Sequence, residues 1–153
     1  MQNTIARLRT KKEDEGFTLI ELLVVVVIIG VLVAIAVPVY LNYRQGAADK
    51  SAQSDVRGAI SAIEQFYTNN GNAYPTGFAS QTASPLTIGT AAQTQGTITL
   101  SDKTTMTFAP QGSPATSYLL CATNSGGSGK VYLYDSSKGG SVVAATVAIA
   151  TCS

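Results

Sequence analysis

Gly16-Phe17-Thr18-Leu19-Ile20-Glu21, followed at once by the apolar run Leu22–Leu41, decides how the rest of the chain is read. The run holds 20 residues without a charge, about the number needed to cross the hydrocarbon core of a bilayer. Glu21 stands at its start as the one ionisable side chain in an otherwise membrane-like segment. A carboxylate at mid-bilayer costs on the order of 2.5–3.5 kcal/mol on insertion scales, and less toward the interface. Such an acid asks for a partner, and the run itself supplies none.

Upstream, residues 1–16 are polar, mixed in charge and without period, and read as a leader peptide. They hold Arg7, Arg9, Lys11 and Lys12, then Glu13, Asp14 and Glu15. An ordinary secretory signal places its small-residue cleavage site after the apolar region, whereas here Gly16 precedes it. Cutting at Gly16 therefore leaves the membrane segment on the mature chain. The basic cluster Arg7–Lys12 is expected to stay cytoplasmic, so that everything past Leu41 faces outward.

Downstream, the apolar run reads as helix even though Val24–Ile29 alone has strand propensity, because in lipid a helix satisfies every backbone group internally. Gly30 weakens it, and Pro38 removes the hydrogen bond to the Ala34 carbonyl and favours a kink. Past Leu41 the apolar positions become a stripe of Ala48, Ala52, Val56, Ile60, Ile63 and Tyr67 at intervals of three and four, with Arg44, Asp49, Lys50, Asp55, Arg57 and Glu64 assigned to a wet face. Asn69-Asn70-Gly71 and then Pro75 supply the stop. The pattern predicts one helix from about Thr18 to Thr68, roughly 75 Å long at 1.5 Å per residue. Residues 17–41 form its hydrophobic transmembrane half and residues 42–68 its amphipathic half.

Residues 69–95 carry turn formers and no sustained period, and read as a long surface loop. Short apolar or alternating runs follow over 96–153: Thr97–Leu100, Thr105–Phe108, Tyr118–Ala122, Val131–Tyr134 and Val142–Ile149. Gly- and Ser-rich breaks separate them, as in a small antiparallel sheet. Its apolar face needs a cover, and the helical stripe is the mate at hand. The fold class is therefore α+β, a long N-terminal helix packed against a small antiparallel sheet.

Both cysteines, Cys121 and Cys152, fall in the exported part. An even count in an oxidising compartment favours one disulfide over two free thiols, and a closed loop of about 30 residues is worth roughly 3–4 kcal/mol.

The remaining composition excludes more than it assigns. Charged residues are 12%, the net charge is +1 and the mean hydropathy is +0.19. Without the first 16 residues the chain carries six basic and six acidic side chains, so no basic surface points to nucleic acid. There is no histidine, which removes the commonest metal ligand and general base. Ser/His/Asp and Cys/His arrangements are impossible, so no catalytic set, no enzyme and no cofactor are expected. Past Glu64 the acids are Asp102 and Asp135, too sparse for a calcium cage. No metal site is expected.

Gly16-Phe17-Thr18-Leu19-Ile20-Glu21-Leu22-Leu23, with the apolar helix carrying Gly30 and Pro38, resembles the N-terminus of type IV pilins and related pseudopilins. The likeness is dense over residues 16–44 and continues through the amphipathic helix. Past Asn70 only the plan is shared. A short leader and a phenylalanine at the cut resemble the type IVa subgroup, while Glu13, Asp14 and Glu15 depart from the more usual basic leader. The resemblance implies cleavage between Gly16 and Phe17 by a membrane-embedded prepilin peptidase, then N-methylation of the Phe17 amine. It implies that Glu21 engages the Phe17 amine of a neighbouring subunit, and that the stretch from Gly30 to Pro38 loses helical hydrogen bonding in the filament. The implied partners are further copies of the chain in a helical homopolymer, the peptidase, the inner-membrane assembly platform, and membrane lipid before assembly. Nucleic acid enters only at the level of the filament. The implied location is the bacterial cytoplasmic membrane first, then a pilus on the cell surface.

Physical chemistry makes the Glu21 role coherent. Before cleavage Phe17 has a neutral amide; afterwards it carries an ammonium, and methylation keeps the charge. A buried ammonium facing a buried carboxylate relieves the desolvation of both. A simpler reading stands beside it: Thr18-Leu19-Ile20-Glu21 has capping-box spacing, so Glu21 closes the helix N-terminus. Gly30 and Pro38 also have a plain reading as membrane-helix residues. Tyr40, Tyr43, Phe66 and Tyr67 read as an interface belt followed by core packing, with an electron-conducting stripe as the alternative. The functional expectation is a major pilin. The alternatives are a pseudopilin of a type II secretion or competence machine and a monomeric membrane-anchored binding domain; the scarcity of late acids leans toward the pilin.

Overall fold

A computed structural model describes residues 17–153. The leader 1–16, with Gly16 of the expected cleavage pair, lies outside the described residues. The chain divides after Val39 into two compact units. The described part of the first is the N-terminal stretch of helix α1 (Leu19–Asn69), and the second runs from Tyr40 to Ser153 and holds the remainder of α1 and all the strands. The helix continues through Gly30 and Pro38.

Seven strands follow: β1 (Phe78–Gln81), β2 (Leu86–Ile88), β3 (Gly96–Ile98), β4 (Thr104–Gly112), β5 (Ala115–Asn124), β6 (Val131–Asp135) and β7 (Val143–Ala145). Five form an antiparallel sheet in the order β1-β4-β5-β6-β7, and β2 pairs with β3 in a separate two-stranded ribbon. The fold class expected from sequence, α+β with a long N-terminal helix and a small antiparallel sheet, is the one observed.

Helix α1 buries Ala52, Val56, Ala59, Ile63 and Phe66 in one core with Met106 and Phe108 of β4, Tyr118, Leu120 and Ala122 of β5, and Ile88 and Ile98 of the ribbon. Helix and sheet each hide a single apolar face, the arrangement that lets two layers share one core. At its C-terminus α1 ends on Gly71 at φ +67° and Asn72 at φ +63°, and the Asn70 and Asn72 N–H groups return to the Phe66 and Tyr67 carbonyls, both at 3.0 Å. The Asn70 side chain then pairs with the Thr94 backbone in both directions, at 2.9 and 3.0 Å, and so holds the β2–β3 connection against the helix end.

Four expectations need correction. Residues 69–95 are not a bare loop, since β1 and β2 lie there. β1 is irregular: its register against β4 shifts between Phe78 and Gln81, Ser80 takes φ +48°, and the Ser80 N–H donates to the Thr107 hydroxyl instead of the ladder. The run Thr97–Leu100 does not join the main sheet; its first half pairs with β2. Val142–Ile149 is not one strand. Only Val143–Ala145 pairs with β6, after which the chain hooks back, the Cys152 N–H reaching the Ala148 carbonyl at 2.8 Å. Finally, Asp49 and Asp55 do not lie on a wet face; both are buried.

Candidate functional site

Three arrangements stand out: the start of α1 with its apolar length, two carboxylate clamps on the buried side of α1, and a tyrosine cluster around Glu64.

At the helix start Thr18 and Glu21 form a capping box. The Thr18 N–H donates to Glu21 Oε2 at 2.9 Å and its hydroxyl donates to the same oxygen at 2.7 Å. The Glu21 N–H donates in turn to the Thr18 hydroxyl at 3.3 Å, and the Leu22 N–H closes on the Thr18 carbonyl at 3.3 Å. Two backbone donors that a helix N-terminus leaves free are thereby satisfied. Both bonds from Thr18 end on Oε2; among the described residues none ends on Oε1. Phe17 is 81% exposed immediately before the box.

Beyond the box the side chains of the apolar run lie exposed. From Phe17 to Tyr43 every large hydrophobic residue is exposed. The helix is long and apolar enough to cross a membrane. At about 25 cal/mol per Å², such a stripe does not stay in water; lipid or other chains must cover it. Gly30 and Pro38 sit within this length, and among the described residues nothing lies within 4 Å of the position a Cβ would take at Gly30.

Facing the sheet, α1 uses two aspartates in the same way. Asp55 accepts the Ser101 N–H at 2.8 Å and its hydroxyl at 2.9 Å; Asp49 accepts the Ser128 N–H at 3.0 Å and its hydroxyl. Each carboxylate thus ties a loop of the sheet to the helix by two charge-assisted bonds. Gly127 is required beside the second clamp, since a Cβ there would collide with Asp49 Oδ1. No spacing in the sequence announces these pairs, because the partners lie 46 and 79 residues away.

Around Glu64 the Tyr118 hydroxyl donates to Oε1 at 2.8 Å. Burial first, then that bond, pushes the Tyr118 phenol far above its usual 10.0. Burial and the Glu64 charge also raise Tyr74. Rings follow one another at close range: Tyr67–Tyr74 at 4.4 Å, Tyr74–Tyr118 at 5.1 Å, Tyr118–Tyr134 at 5.8 Å. Cys121 and Cys152 are joined, with Cα atoms 5.8 Å apart and both side chains buried. This ties the C-terminal hook to β5, and the Thr107 hydroxyl donates to the Ile149 carbonyl alongside. Among the described residues no three His, Cys, Asp or Glu side chains are grouped to hold a metal ion.

Residues 11–37 match the family model of the prokaryotic N-terminal methylation motif. This N-terminus is similar to that of type IV pilins. The chain is 41% identical over 58 residues to the type IV major pilin protein PilE1 of Neisseria gonorrhoeae, covering 38% of this chain and 35% of that protein. It is 39% identical over 61 residues to the fimbrial protein EcpC of Eikenella corrodens, 40% of each chain. It is 36% identical over 66 residues to the type II secretion system core protein G of Aeromonas hydrophila, 43% of this chain and 46% of that one. The match thus spans between about a third and a half of these relatives' length. No solved structure matches. The pilin resemblance is carried by the N-terminal motif, and the fold behind it is pilin-like in plan: one long helix and a small antiparallel sheet.

Proposed function

We propose that the chain is the main structural subunit of a type IV pilus. The observation that carries this reading is the exposed apolar length of α1, headed by a single acid of which one carboxylate oxygen, among the described residues, accepts no hydrogen bond. As a precursor the segment 17–41 rests in the cytoplasmic membrane. Prepilin peptidase cuts between Gly16 and Phe17 and the new amine is N-methylated. The cut removes nothing from the capping box, since the Thr18 N–H remains an amide. It adds an ammonium one residue away, which in a neighbouring copy pairs with Glu21 Oε1. The helix then leaves lipid and is covered by other copies, with the stretch between Gly30 and Pro38 yielding its helical bonds as the filament packs. The sheet faces outward, and motility, adhesion and DNA uptake belong to the assembled filament, its tip and its motor. The match to methylation-motif pilins supports this reading.

A pseudopilin of a secretion machine is the second reading, favoured by the likeness to a type II secretion core protein. Mass spectrometry of filaments sheared from cells tests both. Abundant fibres whose subunit begins at N-methyl-Phe17 with Cys121 and Cys152 oxidised support the pilus. Fibres that form only on overexpression favour the pseudopilin, and fibres retaining residues 1–16 overturn the scheme.

A further inference from the structure

The assembly reading leaves the tyrosine cluster unused. Four of the chain's seven tyrosines, Tyr67, Tyr74, Tyr118 and Tyr134, stand in ring-to-ring proximity beside one carboxylate, Glu64. Packing alone needs neither phenols nor an acid, since burying a hydroxyl is costly unless it is paired. We propose that this cluster is an oxidative cross-linking site, in which one-electron oxidants join Tyr67 to Tyr74 through a ring-to-ring carbon bond.

Geometry selects that pair. Tyr67 lies on the last turn of α1 and Tyr74 just beyond the helix end, with centroids 4.4 Å apart and planes inclined by 31°. The two rings are thus already side by side, so that ring rotation, without any motion of the fold, is what coupling of carbons ortho to the hydroxyls requires. Both side chains are half-buried, so each keeps an edge in solvent where an oxidant reaches it. Tyr118 is fully buried and has no room to couple, but its hydroxyl already leans on Glu64 at 2.8 Å. Removing an electron from a buried phenol leaves a radical cation, and burying an uncompensated charge is costly. A carboxylate in place takes the proton as the electron leaves. Tyr118 with Glu64 therefore acts as a relay, 5.1 Å from Tyr74.

One oxidising equivalent takes an electron from Tyr118 while its proton passes to Glu64. Tyr74 refills Tyr118 with an electron, the proton returns from Glu64, and Tyr74 gives its own proton to water. A second equivalent takes an electron and a proton from Tyr67. The two phenoxyl radicals form a carbon–carbon bond, and the displaced ring hydrogens move to the phenol oxygens. Two electrons and two protons have left the protein; hydrogen peroxide with a peroxidase accepts them as two waters. The product staples the end of α1 to the segment that leads into β1. That junction otherwise rests on hydrogen bonds and packing.

The test treats the detergent-solubilised full chain with hydrogen peroxide and a peroxidase, followed by peptide mapping and fluorescence. The expected product is a monomer lacking two hydrogens, with dityrosine fluorescence and one cross-linked peptide pair containing Tyr67 and Tyr74. Tyr67→Phe and, independently, Tyr74→Phe abolish it. Glu64→Gln slows it by at least about tenfold, a conservative share of what a positioned proton acceptor contributes. Tyr40 and Tyr43 are internal competitors, 64% and 82% exposed. Cross-links through those two residues with none at 67–74, or an unchanged rate in Glu64→Gln, overturn the proposal.

Discussion

Glu21 closes a hydrogen-bonded ring with Thr18, accepting the Thr18 N–H at 2.9 Å and the Thr18 hydroxyl at 2.7 Å on one oxygen. Capping and assembly therefore do not compete for the same atom. The box uses Oε2, and the ammonium of the proposed assembly contact would take Oε1. The two roles separate by substitution. Glu21→Gln keeps capping-box chemistry, since glutamine serves at that position as well as glutamate, but removes the charge that answers an ammonium. The expected result is a chain that enters the membrane, is cleaved before Phe17 and accumulates without forming fibres. Mass spectrometry of the membrane fraction and microscopy of sheared material check it. Fibres at the normal level would leave Glu21 a capping residue only.

The clamps give a stability prediction confined to the sheet-bearing unit. In Asp55→Ala the Ser101 N–H and hydroxyl lose their acceptor at a partly buried site. Hydrogen bonds to a charged group contribute about 1.5–3 kcal/mol each, so the loss is expected to be at least about 2 kcal/mol. Asp49→Ala is expected to act alike through Ser128. Thermal unfolding of the solubilised chain measures both against exposed Lys50→Ala. Equal midpoints for Asp55→Ala and Lys50→Ala would remove the clamp from the account.

Much of this was legible in the sequence, and the failures have physical causes. The apolar run, its acid and the helix stop are local patterns, and they placed α1 within a residue of its observed Leu19–Asn69. The core stripe was right at Ala52, Val56 and Ile63 but took Ile60 and Tyr67 where the structure buries Ala59 and Phe66 most deeply. Each pair is adjacent and apolar, and a period of 3.6 does not choose between neighbours. Asp49 and Asp55 looked like solvent residues because an isolated helix gives them nothing else to face. Strands of three or four residues such as β1 and β2 carry too few positions for a period to register, and β1 is held by Phe108 and Thr107, far along the chain.

Asp135 predicts an acid response. The Ser137 hydroxyl first, and then Lys138 at 3.0 Å, hold its carboxyl well below the usual 3.8, down to about 2. A depressed folded value favours the ionised, folded form, so this contribution is complete above 3.8 and fades as pH falls from there through about 2. NMR titration of the Asp135 carboxyl is expected to show a midpoint near 2, and Ser137→Ala is expected to move it upward. A midpoint at the ordinary value would mean that the turn after β6 is open in solution.

Tyr118 predicts the opposite limb. Its phenol is raised far above 10.0, so the neutral form is favoured in the fold. That contribution is whole below 10.0 and is lost as pH rises beyond it, because the unfolded chain releases the proton first. Phenolate absorbance from Tyr118 is expected only together with loss of circular dichroism. Tyr118→Phe is expected to flatten the fall in stability above pH 10.0. An early phenolate in an intact fold would show that the Glu64 pairing is not maintained.

Two glycines separate backbone strain from crowding. Gly129 sits at φ +81° with nothing within 4 Å of the position a Cβ would take, whereas Gly89 sits at φ +91° and a Cβ there would run into Cε2 of the Phe66 ring. Gly129→Ala is expected to cost about 1–2 kcal/mol, the penalty of a left-handed conformation for a residue with a side chain. Gly89→Ala carries the same penalty and must also displace a ring buried between α1 and the β2–β3 ribbon, which adds about 1–3 kcal/mol. Denaturant unfolding of the two variants therefore differs by the crowding alone. If the pair unfold together, Phe66 has room to move, and its burial contributes less to holding the ribbon on the helix than the packing implies.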